Sequence, residues 1–411
     1  MLKTRSFHHF ELRSFFQPIY SLAHRRCVGM EALVRCHDAT TKTQYSPIEL
    51  FDKSREWGEQ TELDRLCQEL HLNNFQALEL EEQWLFLNVC PPTGVLVEDP
   101  EAFWQEMQSL RIPPNRLVME IIEHESNSPE YLAEQVASYR QRGALIAIDD
   151  FGAGHSNFDR IWQLEPHIVK LDRSMLLQGR AQRKFRHVLS KLIQLIHGSG
   201  ALAVMEGIET QDDLHLAFDS GADMVQGFGL AYPAADPRLG VVDGRRKLSA
   251  QLAISSRRFE QGDQQRTRKL APYVDVFALW VGACRRGYLG KEHSNALQQL
   301  NGIIRCYLLD QEGYQMGANL TFRQTTEEAQ RFQPMQDGRG ARWARRTYFR
   351  EAMARPDSMY ISDPYLSISD GAMCLTISQA FTADDGQPLV LCFDIDASDW
   401  EESVDSNFSG E

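Results

Sequence analysis

Between residues 83 and 230 the chain repeats one polarity pattern. A short apolar run ends on a polar residue, and a longer mixed segment follows before the next run. The runs are WLFLNV, RLVMEII, ALIAIDDF, HIVKLD, ALAVMEGIE and ADMVQGF. The segments between them, such as PEYLAEQVASYRQRG and KFRHVLSKLIQLIHGSG, read as helices. In the second, Val188, Leu189, Leu192, Ile193 and Ile196 follow helical spacing, and Gly198 and Gly200 close it. Strands alternating with helices predict βα units and a parallel sheet. Upstream, SFFQPIYSL and RRCVGMEALVR add two strands, giving about eight in roughly 235 residues, the size of a single (β/α) barrel. An open, doubly wound sheet is the competing architecture. It would carry a Gly-rich phosphate loop after its first strand, and none is present.

The pattern changes after the barrel. Residues 245–269 hold eight Lys/Arg against two acids, with Leu248, Leu252 and Phe259 near one helical face and Gly262 as an interruption. This reads as an exposed linker helix, which could also carry a dimer contact. From about 273, APYVDVFALWVGACRRGYLG and HSNALQQLNGIIRCYLLD read as helices, the second running into a strand. Strand-like runs follow at MYISDPYLSIS, AMCLTISQAFT and PLVLCFDID, separated by turns. Helices and then antiparallel strands predict an α+β domain. The expected organisation is a barrel over 1–245, a linker helix over 246–272 and an α+β domain over 273–404, with a polar, acidic tail.

Composition narrows the class. The chain has 411 residues, of which 43% are hydrophobic and 24% charged, as in soluble globular proteins of two to three domains. No apolar run approaches the roughly 18 residues that would span a bilayer, and the N-terminus lacks the h-region of a secretion signal. The eight cysteines are scattered, with no C-x-x-C pair, which argues against a zinc ribbon and for a reduced, cytoplasmic setting. The formal charge of −14 disfavours a general nucleic-acid binder. It leaves room for a small phosphate ligand met by a few local cations.

The polar residues that end the strands are the candidate chemistry. They are Asn88, Glu120, Asp149, Asp150, Lys170, Glu206 and Gln226, with Glu31 in the second early strand. In a barrel the C-terminal strand ends converge on one face, where active sites lie. Glu31, Glu120, Asp149, Asp150 and Glu206 would bring five carboxylates together, and Asn88 a carbonyl oxygen. Such a set repels itself unless hard divalent cations intervene, and oxygen-only donors select Mg²⁺ or Mn²⁺ over zinc. The adjacent Asp149 and Asp150 suit two ions about 3.5–4 Å apart, an arrangement that cleaves phosphodiesters, with Lys170 as a fixed positive charge. Taken singly, each strand-end acid reads more readily as a helix cap or loop residue, and Lys170 as a snorkelling surface lysine. The chemistry rests on the set.

The same residues resemble a known family. Glu31-Ala32-Leu33-Val34-Arg35 looks like the signature of EAL-domain proteins, the cyclic di-GMP phosphodiesterases. FQPI (Phe16 to Ile19), LNVCP (Leu87 to Pro91), MEIIE (Met119 to Glu123), DDFGAG (Asp149 to Gly154), VKLD (Val169 to Asp172), MEGIET (Met205 to Thr210) and VQGF (Val225 to Phe228) match the family's other motifs in order. The resemblance covers roughly residues 5 to 240. It implies a TIM-like barrel that hydrolyses cyclic di-GMP to linear pGpG with two Mg²⁺ or Mn²⁺ ions per site. Glu31, Asn88, Glu120 and Asp149 would hold one ion, and Asp149, Asp150 and Glu206 the second. Lys170 would orient the attacking water, Glu206 could act as general base, and Gln226 would steady water or substrate. Gln17, Leu33, Arg35 and Asp172 would contact the dinucleotide, and Glu123 and Glu209 would order the loop after Asp150. That loop departs from the family pattern at Ala153, His155 and Asn157, where altered regulation is expected, and Ile122 replaces the usual threonine.

Further on, RWARRTYFREAM (Arg342 to Met353) and YISDPYLSISDG (Tyr360 to Gly371) resemble motifs of PAS/Cache-type sensor domains. The resemblance implies a regulatory domain in which Trp343, Arg346, Tyr348, Asp363 and Tyr365 line a pocket for a small anion or amino acid, unless these aromatics only pack the core. A cytoplasmic, homodimeric phosphodiesterase is the expectation. A catalytically silent cyclic di-GMP receptor signalling through the linker helix is the alternative.

Overall fold

The computed structural model describes residues 2–80, 82–89, 100–121, 129–154, 158–287, 297–322, 335 and 337–397. The chain divides into two compact units, Met1–Ser256 and Arg257–Glu411. In the first, the elements run β1 (Arg5–Phe7), β2 (Phe10–Ser21), β3 (Arg26–Asp38), β4 (Gln44–Tyr45), α1 (Pro47–Trp57), α2 (Gln60–Ala77), β5 (Trp84–Val89), α3 (Pro100–Ser109), β6 (Leu117–Ile121) and α4 (Pro129–Gln141). They continue with β7 (Leu145–Phe151), α5 (Asp159–Leu164), β8 (Ile168–Leu171), α6 (Arg173–Ala181), α7 (Arg183–Gly198), β9 (Leu202–Met205), α8 (Gln211–Asp219) and β10 (Met224–Val225).

Eight of these strands close a barrel. β3 and β5 to β10 run parallel in chain order, and β2 closes the ring between β10 and β3. β2 is antiparallel to both neighbours, unlike the uniformly parallel sheet that βα alternation predicts. The connection is the reason. Only residues 22–25 separate β2 from β3, enough for a hairpin but not for the crossover of a dozen or more residues that parallel neighbours need.

Strand alternation then builds the site. One small cluster of buried side chains fills the barrel: Ile19, Phe86, Val118, Ala147, Ile168, Val204 and Met224. Because side chains on a strand alternate with period two, the residue two positions toward the mouth faces inward as well. Those residues are Gln17, Asn88, Glu120, Asp149, Lys170, Glu206 and Gln226. On β3 the inward apolar position is Gly29, where a Cβ would come within 2.5 Å of the Phe86 ring, and two residues on stands Glu31. An apolar floor under a ring of polar groups is thus the product of one period-two pattern read on eight strands. The intervening residues, such as Leu85, Leu87, Met119, Val169, Leu171 and Met205, point outward into the core shared with the helices.

Helix α9 (Arg238–Arg285) runs through Gly262 and Pro272, where the sequence suggests a break and a new start, and the division between the units falls within it. A helical Gly costs about 1 kcal/mol and a Pro about 3 kcal/mol. Burial on either side offsets this: Leu248 and Leu252 lie in the core of the first unit, and Leu270, Phe277, Trp280 and Val281 in that of the second.

The second unit carries β11 (Ile303–Asp310), β12 (Gln315–Thr321), α10 (Thr347–Ala354), β13 (Tyr360–Ile361), β14 (Tyr365–Leu366), β15 (Met373–Thr382) and β16 (Pro388–Asp396). They form a separate antiparallel sheet ordered β12-β11-β16-β15-β13, with β14 also on β15. Leu375, Ile377, Leu391, Phe393 and Ile395 cover one face with Phe277 and Trp280. The other face mixes Tyr307, Tyr348, Val390 and Cys392 with the buried polar residues Thr376 and Asp394. No helix among the described residues is long and apolar enough to cross a membrane.

Candidate active site and metal centre

Lys170 is the hub of the barrel mouth. Its side chain is 1% exposed, and its Nζ lies 2.6 Å from Glu120, 2.9 Å from Asp149, 2.8 Å from Glu206 and 3.6 Å from Glu31. A buried ammonium alone would lose its proton, because burial disfavours charge. Here Asp149, Glu120, Glu206 and Glu31 outweigh burial and hold its pKa well above the ordinary lysine value. Gln226 donates from Nε2 to Glu31 Oε2 at 2.5 Å, and Asn88 donates from Nδ2 to Glu31 Oε1 at 3.5 Å.

One ammonium does not satisfy this set. Glu120 is fully buried, and its Oε2 has no polar partner. Its Oε1 and Asp149 Oδ1 sit at ion-pair distance from Lys170 but outside hydrogen-bond geometry. With Asp150, five carboxylates face one ammonium, a formal −4 that two divalent cations would neutralise. The carboxylates fall into two groups with donor oxygens mutually within 4.8 Å: Glu31, Glu120 and Asp149, and Asp149, Asp150 and Glu206. Asp149 is common to both. The donors are all oxygens, and three carboxylate oxygens (Glu120 Oε1 and Oε2, Asp149 Oδ1) accept no hydrogen bond, so the residues fit a pair of hard divalent cations.

Asp149 and Asp150 are neighbours on β7 and should point to opposite faces. The β7–β8 register shifts between Ile148 and Phe151, and Asp150 has φ of 55°. The irregularity and the left-handed backbone re-aim Asp150 toward the site, a strained geometry of the kind that gathers at functional centres. The electrostatics follow. Burial, reinforced by neighbouring carboxylates, raises Glu120 well above the usual carboxylate range and pushes Glu206 up to about 8. Burial and then the Asp149 charge push Asp150 up to about 6. Cations bound to these oxygens would take the place of the protons that burial favours.

The mouth opens into a cavity of about 320 Å³. Gln17, Glu31, Leu33, Asp149, Asp150, Lys170, Glu206, Glu209 and Gln226 line it, so most of the residues singled out from the sequence meet there. Four stand apart from its wall, Glu120 because it is fully buried beneath it. Arg35 donates to its neighbour Val34 O at 2.9 Å and lies against the Phe15 ring. Asp172 caps α6, accepting from Ser174 N at 2.9 Å. Asn88 reaches the site through Glu31. Glu209 accepts from Arg173 at 2.6 Å. Sequence reasoning missed Arg173, Gly207, Gly227 and Phe228 as lining residues. Their signal was in the motifs themselves: Gly207 lies inside MEGIET, Gly227 and Phe228 lie inside VQGF, and Arg173 directly follows VKLD. Glu123, His155 and Asn157 lie outside the described residues.

In the second unit a tight cleft of about 20 Å³, space for about one water molecule, is lined by Trp343, Arg346, Tyr348 and Tyr365 together with Arg305, Tyr307 and Asp394. Asp363 is exposed and lies outside this wall. The Arg346 guanidinium faces the Trp343 and Tyr365 rings at 6.0 and 5.5 Å. Arg305 binds Asp370 at 2.7 Å and Asp394 at 3.0 Å beneath it.

A TIM-like barrel with one antiparallel strand and an acidic, lysine-centred mouth fit for cations is the class that fold and site define. Residues 3–233 match the family model of the EAL domain, and the chain belongs to that family. YkuI of Bacillus subtilis, an uncharacterized EAL-domain containing protein, is 26% identical over 379 residues, 89% of this chain and 90% of YkuI. The crystal structure of YkuI in complex with substrate c-di-GMP and calcium is similar with a TM-score of 0.72 at 23% identity, covering 94% of this chain and 96% of that one. At that identity the likeness speaks for the fold. PdeB of Escherichia coli, a probable cyclic di-GMP phosphodiesterase, is 25% identical over 228 residues, 54% of this chain and 43% of PdeB.

Proposed function

We propose that the chain hydrolyses cyclic di-GMP to linear pGpG with two divalent cations, Mg²⁺ or Mn²⁺, in the barrel mouth, and that the second unit regulates this activity. The observation that carries the reading is the formal −4 gathered around Lys170, with Glu120 Oε2 left without a partner. Glu31, Asn88, Glu120 and Asp149 would hold one cation, and Asp149, Asp150 and Glu206 the other. When bound, such a pair supplies Lewis-acid activation of water and charge neutralisation at phosphorus. The chain's own residues do the rest. Gln226 holds Glu31 by Oε2, Lys170 keeps the carboxylates gathered at one height, and the cavity walls around Gln17, Leu33 and Gln226 admit the dinucleotide. The Glu206 proton must leave as cations enter, since ligand and proton compete for the same oxygens.

The test is product formation by the full chain with Mg²⁺ or Mn²⁺, set against Glu31→Ala. Loss of pGpG formation in the variant is expected. Full turnover by Glu31→Ala would overturn the role of Glu31, and tight cyclic di-GMP binding with no product under either metal would turn the reading into that of a silent receptor. For the second unit, the proposed ligand is a small anion or amino acid beside Arg346, where the cleft of about 20 Å³ would have to widen to admit it. A thermal-shift screen of such compounds against wild type and Arg346→Ala tests it, with loss of the shift in the variant expected.

A further inference from the structure

The cleft of the second unit brings two guanidinium groups together and leaves both short of acceptors. Arg346 is half-buried and faces the rings of Trp343 and Tyr365. Among the described residues its guanidinium has neither a hydrogen-bond acceptor nor a carboxylate partner. Arg305 is buried. Its Nη2 donates to Ser367 Oγ at 2.8 Å and to Asp370 Oδ2 at 2.7 Å, and its Nε lies 3.0 Å from Asp394 Oδ2. A guanidinium carries five N–H donors. Two of them lining one cleft with donors to spare make a seat for an anion.

The two aspartates that meet Arg305 differ in how they are held. Asp394 stands on β16 inside the sheet, and it also accepts from Thr376 Oγ1 at 2.8 Å and from the Tyr307 hydroxyl at 3.2 Å. Asp370 is half-buried on the connection between β14 and β15, and apart from Arg305 it accepts only from Ala372 N, at 3.3 Å through Oδ1. The same connection forms one wall of the cleft through Ser367, Ile368 and Ser369, whereas Arg305, Tyr307, Gln315, Asn319 and Asp394 come from strands of the sheet. Leu366 and Ile368 lie exposed on either side of buried Ser367. Little apolar packing therefore holds this wall down, and the bonds from Arg305 to Ser367 and Asp370 do so instead.

We propose that Asp370 is a built-in stand-in for the ligand of the second unit: a small carboxylate entering between Arg346 and Arg305 takes the place of the Asp370 carboxylate on Arg305 and releases the 367–372 loop. A carboxylate is the class that fits, because its two oxygens match the guanidinium fork and the chain already fills the seat with one. Two carboxylates on one nitrogen repel, so the exchange is competitive. The closed cleft, with space for about one water molecule, is the self-occupied state. Exchange gives the loop two arrangements that a ligand can switch. The inference deepens the reading of this cleft as a small-anion site beside Arg346 and rests on it.

The experiment titrates acetate into the full-length chain by calorimetry, with chloride keeping the ionic strength constant, and follows hydrogen exchange across residues 367–372. In wild type, acetate is expected to speed exchange at Ser369 and Ala372, whose amides lose their acceptors Ser367 Oγ and Asp370 Oδ1 as the loop lifts. Asp370→Asn keeps the shape and removes the competing charge, and it is expected to tighten acetate binding about 12- to 160-fold. Ser367→Ala loosens the same loop with no change of charge and is expected to tighten it about 2- to 12-fold. Arg346→Ala is expected to weaken acetate binding in all backgrounds. Affinities in both loop variants within about twofold of wild type would overturn the stand-in, as would exchange that slows on acetate binding, while Arg346-dependent binding would leave the anion site standing. Acetate binding by none of the chains would overturn the anion site itself, so the two failures are distinguishable.

Discussion

Lys170→Met is the most revealing perturbation of the barrel mouth. The substitution preserves length and apolar packing but removes the only positive charge among the described residues within 4 Å of Glu31, Glu120, Asp149 and Glu206. In the cation-free protein the formal charge of the cluster moves from −4 to −5. Breaking a buried ionic set by deleting one partner costs about 3–5 kcal/mol. In a unit of this size each kcal/mol moves the melting point by about 2–4 °C, so a drop of roughly 6–20 °C in EDTA is expected. Protons can blunt the loss, because the carboxylates here take them up readily, and the drop is expected to be larger at pH 8.5 than at pH 6. Divalent cations should act in the opposite sense. With no ammonium competing for the carboxylates, the rise in melting temperature on adding Mn²⁺ should exceed that of wild type, since stabilisation grows with affinity. Differential scanning fluorimetry in EDTA and across a Mn²⁺ titration measures both. A variant that melts within about 2 °C of wild type in EDTA, or gains less from Mn²⁺ than wild type does, refutes the view of Lys170 as the electrostatic keystone.

Other predictions concern packing and pH. Gly227→Ala places a Cβ 2.1 Å from the Ile208 carbonyl oxygen, where only backbone could move, so cyclic di-GMP turnover should fall at least about tenfold and stability by about 1–3 kcal/mol; normal kinetics would show that the 207–209 loop yields freely. His71 is buried, bonded to Ser14 Oγ at 2.8 Å, and burial pushes its pKa down to about 3. The unfolded chain takes up that proton near pH 6.5 and the folded protein does not, so stability should fall as pH drops from 6.5 toward 3, by about 1.4 kcal/mol per unit. Urea unfolding at pH 7 and pH 5 should show this slope in wild type and a shallower one in His71→Gln. In the second unit, Arg305→Met strands Asp394, a buried carboxylate that also accepts from Thr376 and Tyr307. A loss of about 3–5 kcal/mol is expected, with partial recovery in the double variant carrying Asp394→Asn, and equal stability of single and double variants would argue against the ion pair.

Much of the site could be read from order along the chain. The polar residues two positions beyond each inward apolar residue came out of the strand pattern, and seven of the eight barrel strands run as the βα alternation requires. The direction of β2 was also implicit in the short 22–25 connection, although the pattern of runs by itself suggested only parallel neighbours. The role of Asp172 was less legible. A strand-end Asp before a helix is a cap as readily as a ligand contact, and here it caps α6. Arg35 has the same strand parity as Glu31, yet its guanidinium turns to Val34 O and the Phe15 ring, because parity sets the face of a strand and not the course of a long flexible side chain.

The division has one physical cause. Alternation, helix period and capping are local, acting over two to four residues, so the sequence by itself determined the elements, the apolar floor of the barrel and the ring of polar groups above it. Long-range closure is not local. Only the tertiary structure decided that Lys170 meets four carboxylates at once, and that a register shift and a left-handed Asp150 turn two neighbouring aspartates toward one site. These depend on residues as far apart as Glu31 and Gln226 arriving at the same height, which barrel closure sets and no window along the chain contains.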